Sequence, residues 1–326
     1  MIRIKVVLQH ELGRRRGHAT KTRQETPRAL LAGTLDPHFK RSRKDHSVLQ
    51  KASVFAVGLA FCVFGWSLPA ENQSPSAQDL LRRVVDQELK AAQSDHSHWM
   101  YKLEERNEQQ KDVKLVIQTN DGALSRLCSV DGRPIGPQKE QEENQRIANL
   151  IHNPDELRKL RHDQKEDARQ TESMFKLLPK AFTARYGERH GDLVQILFEP
   201  NPQFHPSSHR AEVLHAMKGF LWVNTRENRL TDIEGRLTRT VKFGWGLLGY
   251  LDQGGSFHVE QSEVAPGHWE ITLLRVNMHG KALFFKTIGV QQNEIRSDFQ
   301  KVPENLTLAA AARELQQRST QNPVGL

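Results

Sequence analysis

Histidines, cysteines and paired carboxylates are the residues from which this 326-residue chain would have to build catalysis or metal binding. His205-Pro206-Ser207-Ser208-His209 has the i,i+4 spacing that puts two imidazoles on one helical face, and His215 could supply a third ligand. Pro206, with Pro200 and Pro202 upstream, opposes the helix that would align them, so these read as loop and surface histidines. His96 and His98 lie in a polar linker before Trp99. There is no His-Glu-x-x-His or Cys-x-x-Cys for zinc and no Gly-x-Ser-x-Gly nucleophile turn. Phe243-Gly244-Trp245-Gly246-Leu247-Leu248-Gly249 has spaced glycines but no strand–helix unit behind it, so it is not a phosphate loop. Glu104/Glu105 and Glu142/Glu143 sit in polar runs and read as solvated. A hydrolase needs a base, a nucleophile and oxyanion donors that converge, and nothing here selects such a set. The expectation is a non-enzymatic chain with no metal and no cofactor.

Charge is distributed unevenly. The formal net charge is +8, but residues 1–51 carry 13 Lys+Arg against 4 Asp+Glu, and residues 52–70 carry none. The remaining 256 residues hold 34 basic and 35 acidic groups. The basicity therefore belongs to the leader, and a basic groove for nucleic acid loses its main support.

Ala52–Trp66, ASVFAVGLAFCVFGW, is an uncharged apolar run after Lys51, followed by Ser67-Leu68-Pro69-Ala70 and the polar ENQSPSAQ. Basic, apolar, small-residue exit, polar is the order of a secretory signal. The run is short for a spanning helix, which needs roughly 20 residues. Cleavage after Ala70 is expected; an uncleaved anchor with its N-terminus inside is the alternative. A leader of 51 residues is long, and a start near Val48 or Leu49 would leave a compact one, making residues 1–47 a start-site artefact. Cys62 lies within the run behind Phe61, a poor neighbour for a lipidated cysteine. After cleavage only Cys128 remains, so no intrachain disulfide can form, and in ALSRLCSV it reads as a buried small hydrophobe.

Residues 71–78 read as a linker and 79–305 as one β-rich domain, with 306–326 a short helix and tail. Leu80, Leu81, Val84, Val85 and Leu89 have helical spacing over Asp79–Ala92. Strands are expected at 99–106, 112–118 and 123–130, joined through Asn120-Asp121-Gly122 and closed by Asp131-Gly132. A helical insert covers 138–178, with Asn153-Pro154-Asp155-Glu156 as a strong start signal. Asp155/Lys159 and Glu172/Lys176 read as i,i+4 pairs. Between Arg161 and Ser173 only Ala168 is apolar, so that stretch is expected in water. Strands follow at 182–186, 193–199, 212–224, 229–234, 236–243, 255–264, 268–278, 282–290 and 294–302, then a helix over 308–317 capped by Thr307. The fold class is α+β: a curled antiparallel sheet (half-barrel) of about a dozen strands, with helices inserted between its two halves.

Both faces of Glu212–Asn224 are apolar: Leu214, Ala216, Phe220 and Trp222 on one parity, Val213, Met217, Leu221 and Val223 on the other. A sheet with one face in water alternates apolar and polar, so helices, a partner or an apolar ligand must cover the second face. Phe243–Leu251 places six large apolar residues among three glycines, as a mobile flap at the mouth of the sheet or as a loop packed onto its end. The candidate lining is Phe220, Trp222, Phe243, Trp245, Leu247, Leu248, Phe257 and Trp269.

GFLWVNTRENRLTDIEGRL, a strand ending in Trp-Val, a polar turn and then Arg-Leu-Thr-Asp-Ile, resembles the sheet of the periplasmic lipoprotein-carrier and outer-membrane lipoprotein-sorting fold (LolA/LolB-like). The FGWGLLG and APGHWEIT segments are similar to those of a family of exported bacterial proteins of uncharacterised role. The resemblance covers roughly residues 80–305. It implies an incomplete barrel holding acyl chains against helices, with a lipid or lipoprotein acyl chain as ligand and transport or sorting in the cell envelope or periplasm as role. Membrane contact would be transient or through an uncleaved anchor. The alternative is an envelope structural or interaction protein using the charged helix on a protein partner, with a hydrolase third.

Overall fold

The structure is a computed structural model and describes residues 75–243, 249–282 and 286–321. The expected basic leader, the apolar run and most of the linker lie outside the described residues, as does the centre of the 243–251 turn. Among the described residues no helix is long and apolar enough to cross a membrane.

The fold is α+β, with 13 antiparallel strands in one sheet and five helices among the described residues. Helix α1 (Ala77–Ser94) precedes a meander of β1 (His98–Arg106), β2 (Lys111–Thr119), β3 (Gly122–Val130) and the two-residue β4 (Arg133–Pro134). Helices α2 (Pro137–His152) and α3 (Pro154–Ala181) follow, then β5 (Phe182–His190), β6 (Leu193–Pro200), α4 (His209–Leu214), β7 (Met217–Asn224) and β8 (Arg229–Leu237). Short β9 (Val241–Phe243) and β10 (Gly249–Leu251) lead to β11 (Ser256–Ala265), β12 (His268–Ala282), β13 (Lys286–Val302) and α5 (Leu308–Gln321).

The main order is β4-β3-β2-β1-β13-β12-β11-β8-β7-β6-β5, with β9 and β10 appended beside β12. The first meander is thus stitched to the last hairpin through β1 and β13, and the sheet stays open at β4 and β5. These edges are consecutive in the chain. Crossing ten inter-strand gaps of ~4.8 Å requires a long connection, and the 28-residue α3 alone spans about 42 Å. The helical insert is the crossover of the sheet. Its start is as expected: Asn153 Oδ1 accepts from the Asp155 N–H at 2.9 Å, and Pro154 takes a position whose missing N–H costs nothing. Tight turns sit where glycine permits them, as in Asp131-Gly132 with φ of 51° and 76°.

Two opposed packings fix the faces. On the second half, Leu80, Leu81, Val84 and Val85 of α1 pack on Ile196, Leu221, Val223, Ile233, Val259 and Leu274. On the first half, Met100, Leu115, Ile117, Leu124 and Cys128 pack under Ile147 of α2 and Leu308, Ala311 and Leu315 of α5. The alternate residues Trp99, Tyr101, Leu103 and Val116 form a third cluster with Phe299 on the other face. Both faces of the first meander are therefore covered.

Several expectations need correction. Residues 212–224 do not form one strand. Ser208 Oγ accepts from the Ala211 N–H and starts helix α4, whose Ala211 and Leu214 are buried three residues apart. The strands expected at 268–278, 282–290 and 294–302 divide differently, because β12 runs on to Ala282 and 286–302 is one continuous strand. Asp155 pairs with Arg158 instead of Lys159, whereas Glu172–Lys176 forms at 2.6 Å. The stretch expected in water turns Gln170 and Thr171 inward. Thr307 does cap α5, accepting from the Ala310 N–H at 3.2 Å.

Candidate functional site

A cavity of 680 Å³ lies between the C-terminal half of α1, the middle of α3 and the centre of the sheet. Its apolar wall includes Leu89, Phe175, Trp269 and Ile271. Its floor is charged. Glu88 is the next residue down the stripe that buries Leu81, Val84 and Val85, so helical periodicity drives a carboxylate into the core at 7% exposure. Four donors meet it there: Arg229 Nε at 3.0 Å, Arg229 Nη2 at 3.2 Å, the Leu230 N–H at 2.8 Å and Gln261 Nε2 at 2.9 Å. The bidentate guanidinium supplies the opposite charge that a buried carboxylate requires. Arg229 also lies 5.4 Å from the centre of the Trp269 ring, whose Nε1–H donates to Glu227 at 3.0 Å.

Arg296 of β13 is a second buried cation, 8% exposed. Its Nη2 donates to Glu294 Oε2 at 2.8 Å and its guanidinium lies 5.7 Å from the Tyr101 ring centre. Burial favours loss of its proton, but Tyr101 and Glu294 outweigh burial and hold its pKa above the ordinary arginine value. Its Nε–H is buried without a hydrogen-bond partner, and so is Nδ1 of His98. Both residues line the cavity. Orphaned buried polar atoms are rare and costly, and here two of them belong to residues that line the same cavity.

At one end of the cavity the link from α1 to β1 brings Asp95, Ser97 and His268 together. The Ser97 hydroxyl and Asp95 Oδ2 each lie 3.3 Å from His268 Nδ1. A nucleophile relay needs the serine on one ring nitrogen and the carboxylate on the other. Here both contacts fall on Nδ1, and the Ser97 oxygen already accepts from Trp99 Nε1 at 3.0 Å. Burial raises the Asp95 carboxyl, and hydrogen bonds from Ser97 and the neighbouring His268 more than offset this, leaving its pKa lowered. The trio is built as a brace between α1, β1 and β12.

The candidate lining residues do not gather. Phe220 and Trp222 alternate with the buried Leu221 and Val223, so they face away from α1. Trp222 instead lies against His190, ring centres 5.2 Å apart. Phe257 packs over Gly235, where an added Cβ would stand 2.4 Å from its ring, and belongs with Phe243 to the main core. Trp269 alone among the described candidates lines the cavity. Trp245, Leu247 and Leu248 lie outside the described residues. The histidine set is also dispersed: His205 Nδ1 contacts the Gln203 carbonyl, His209 contacts Glu212, and His215 Nε2 contacts the Asn201 carbonyl. Cys128 is buried as expected, and burial pushes its thiol pKa up, away from thiolate chemistry.

Compared with known proteins, the sequence matches no family model and no curated protein.

Proposed function

We propose that this chain is a non-catalytic binding protein of the cell envelope that holds an amphipathic molecule, a lipid or a lipoprotein acyl chain, for transport or sorting. The cavity beneath α1 and α3 carries this reading. Its 680 Å³ falls within the roughly 300–1,000 Å³ of small-molecule sites. Leu89, Phe175, Ile271 and Trp269 offer an apolar tail its surface, and Arg296 and His98, each with an unpartnered buried nitrogen, add polar groups to the same lining. The likeness of the sequence to lipoprotein carriers and the basic–apolar–polar order of residues 1–78 support export and an acyl ligand. The site proposed is therefore more polar than a purely hydrocarbon-lined pocket and lies on the face that α1 covers.

The test is native mass spectrometry of the chain purified from a cell envelope, with lipid extraction of the same sample. A bound acyl species is expected. It should be lost in Ala168→Trp, which fills the cavity from α3. Arg296→Lys keeps a charge for Glu294 but removes the Nε–H, and should weaken retention about tenfold. A folded chain that is free of ligand from every source, or an Ala168→Trp variant that keeps its ligand, overturns the proposal.

A further inference from the structure

The open face of the second half holds a separate cluster. Asp232 on β8 stands directly opposite Glu260 on β11, and His258, two residues before Glu260, points to the same side. His258 Nε2 lies 3.2 Å from Asp232 Oδ2 and 3.4 Å from Glu260 Oε1, and the three ligating atoms fall within 4.8 Å of one another. Ligands bonded to one tetrahedral ion at about 2.0–2.1 Å stand about 3.3 Å apart, so little movement would close them on a cation. We propose that Asp232, His258 and Glu260 form a binding site for a divalent transition-metal cation.

The charge balance points the same way. Glu234, opposite His258 on the same face, adds a third carboxylate. Among the described residues none of the three acids makes an ion pair with a lysine or arginine. Arg275 faces His258 from β12, and Arg236 follows Glu234 by two residues; both stand on this side without pairing to the cluster. The other oxygen of Asp232, Oδ1, is buried with no donor. A buried acceptor among uncompensated carboxylates is stabilised by a cation. One imidazole nitrogen with two carboxylate oxygens suits zinc, manganese or ferrous iron better than the all-oxygen preference of calcium or magnesium. Three protein ligands leave a coordination position open toward the 470 Å³ groove bordered by Trp222 and His190. This site lies on the face opposite α1 and does not depend on the ligand proposed for the cavity.

The experiment is calorimetric titration of the chelator-treated full chain with zinc chloride, followed by cobalt(II) substitution read in the visible spectrum. One saturating ion per chain and ligand-field bands from cobalt are expected. His258→Ala and Glu260→Gln should each weaken zinc binding by roughly a hundredfold. The near-isosteric Asp232→Asn should do the same where an alanine variant fails to fold. A His205→Ala/His209→Ala variant should bind as the parent does, and acidification should weaken binding as protons compete for the ligands. No saturable binding, or binding that survives His258→Ala combined with Glu260→Gln, overturns the site.

Discussion

The two faces of the second half treat charge in opposite ways. Beneath α1, Glu88 is buried and saturated by Arg229, Gln261 and a backbone N–H. On the other face, Asp232, Glu234 and Glu260 surround one histidine and, among the described residues, no arginine or lysine pairs with them. The first arrangement resembles a structural ion pair, complete within the chain. The second is left for something outside the chain to complete. Both draw partners from β8 and β11, on opposite faces of the same strands, which makes them a controlled pair for experiment.

The largest effect is expected from breaking the complete network. Glu88→Ala leaves a buried guanidinium without its counter-charge and should cost roughly 3–5 kcal/mol in chemical denaturation. Replacing Glu88 and Arg229 together by methionine should recover most of that, because a buried pair spends much of its attraction on desolvation. If the double variant is as unstable as the single one, the network specifies the fold through geometry that an apolar pair cannot reproduce.

The incomplete cluster should respond in the opposite sense. The Asp232 pKa is raised in the fold, so below the ordinary aspartate value of about 3.9 the native and unfolded states are both protonated and nothing is lost. As pH rises through the folded value the carboxylate must ionise against burial and its neighbours, and stability falls. Asp232→Asn should therefore raise Tm at neutral pH, with the gain fading on acidification. Saturating zinc should reverse the order, stabilising the parent and not the variant. A variant less stable than the parent at neutral pH without metal would show that the cluster is already compensated.

This contrast also explains what could be read in advance. The strands and their turns were legible because the signals are local: alternating apolar residues, Asn120-Asp121-Gly122 and Asp131-Gly132. The helical insert was legible from Asn153-Pro154 and the periodicity around it. Its role as crossover was not, because that follows from β4 and β5 lying at opposite edges. Helix α4 was hidden by an apolar run that satisfies period two and period three at once, with Ser208 the signal that could have revealed it. Glu88 stands in the sequence as an acid on an apolar stripe, with nothing nearby to mark it as buried. Its partners stand 141 and 173 residues away, beyond any local pattern. The second apolar face of β7 was real, but Phe220 and Trp222 face the open side, and no parity rule says which side a distant helix will cover.

The smallest effect is expected at the one i,i+4 pair that was both anticipated and observed on the insert. Glu172 and Lys176 are exposed on α3 and 2.6 Å apart. Water solvates both when they separate, so Glu172→Gln should cost about 0.3–0.5 kcal/mol, a difference that shrinks further at high salt. The measurement is denaturation of parent and variant at two ionic strengths. Glu172 also borders the cavity, which gives the control a second use. A loss well above 1 kcal/mol that salt does not screen would mean that Glu172 acts on the cavity side of α3 and not on its wet side. Lys90 of α1, a cation that lines the same cavity, would then be the first residue to substitute.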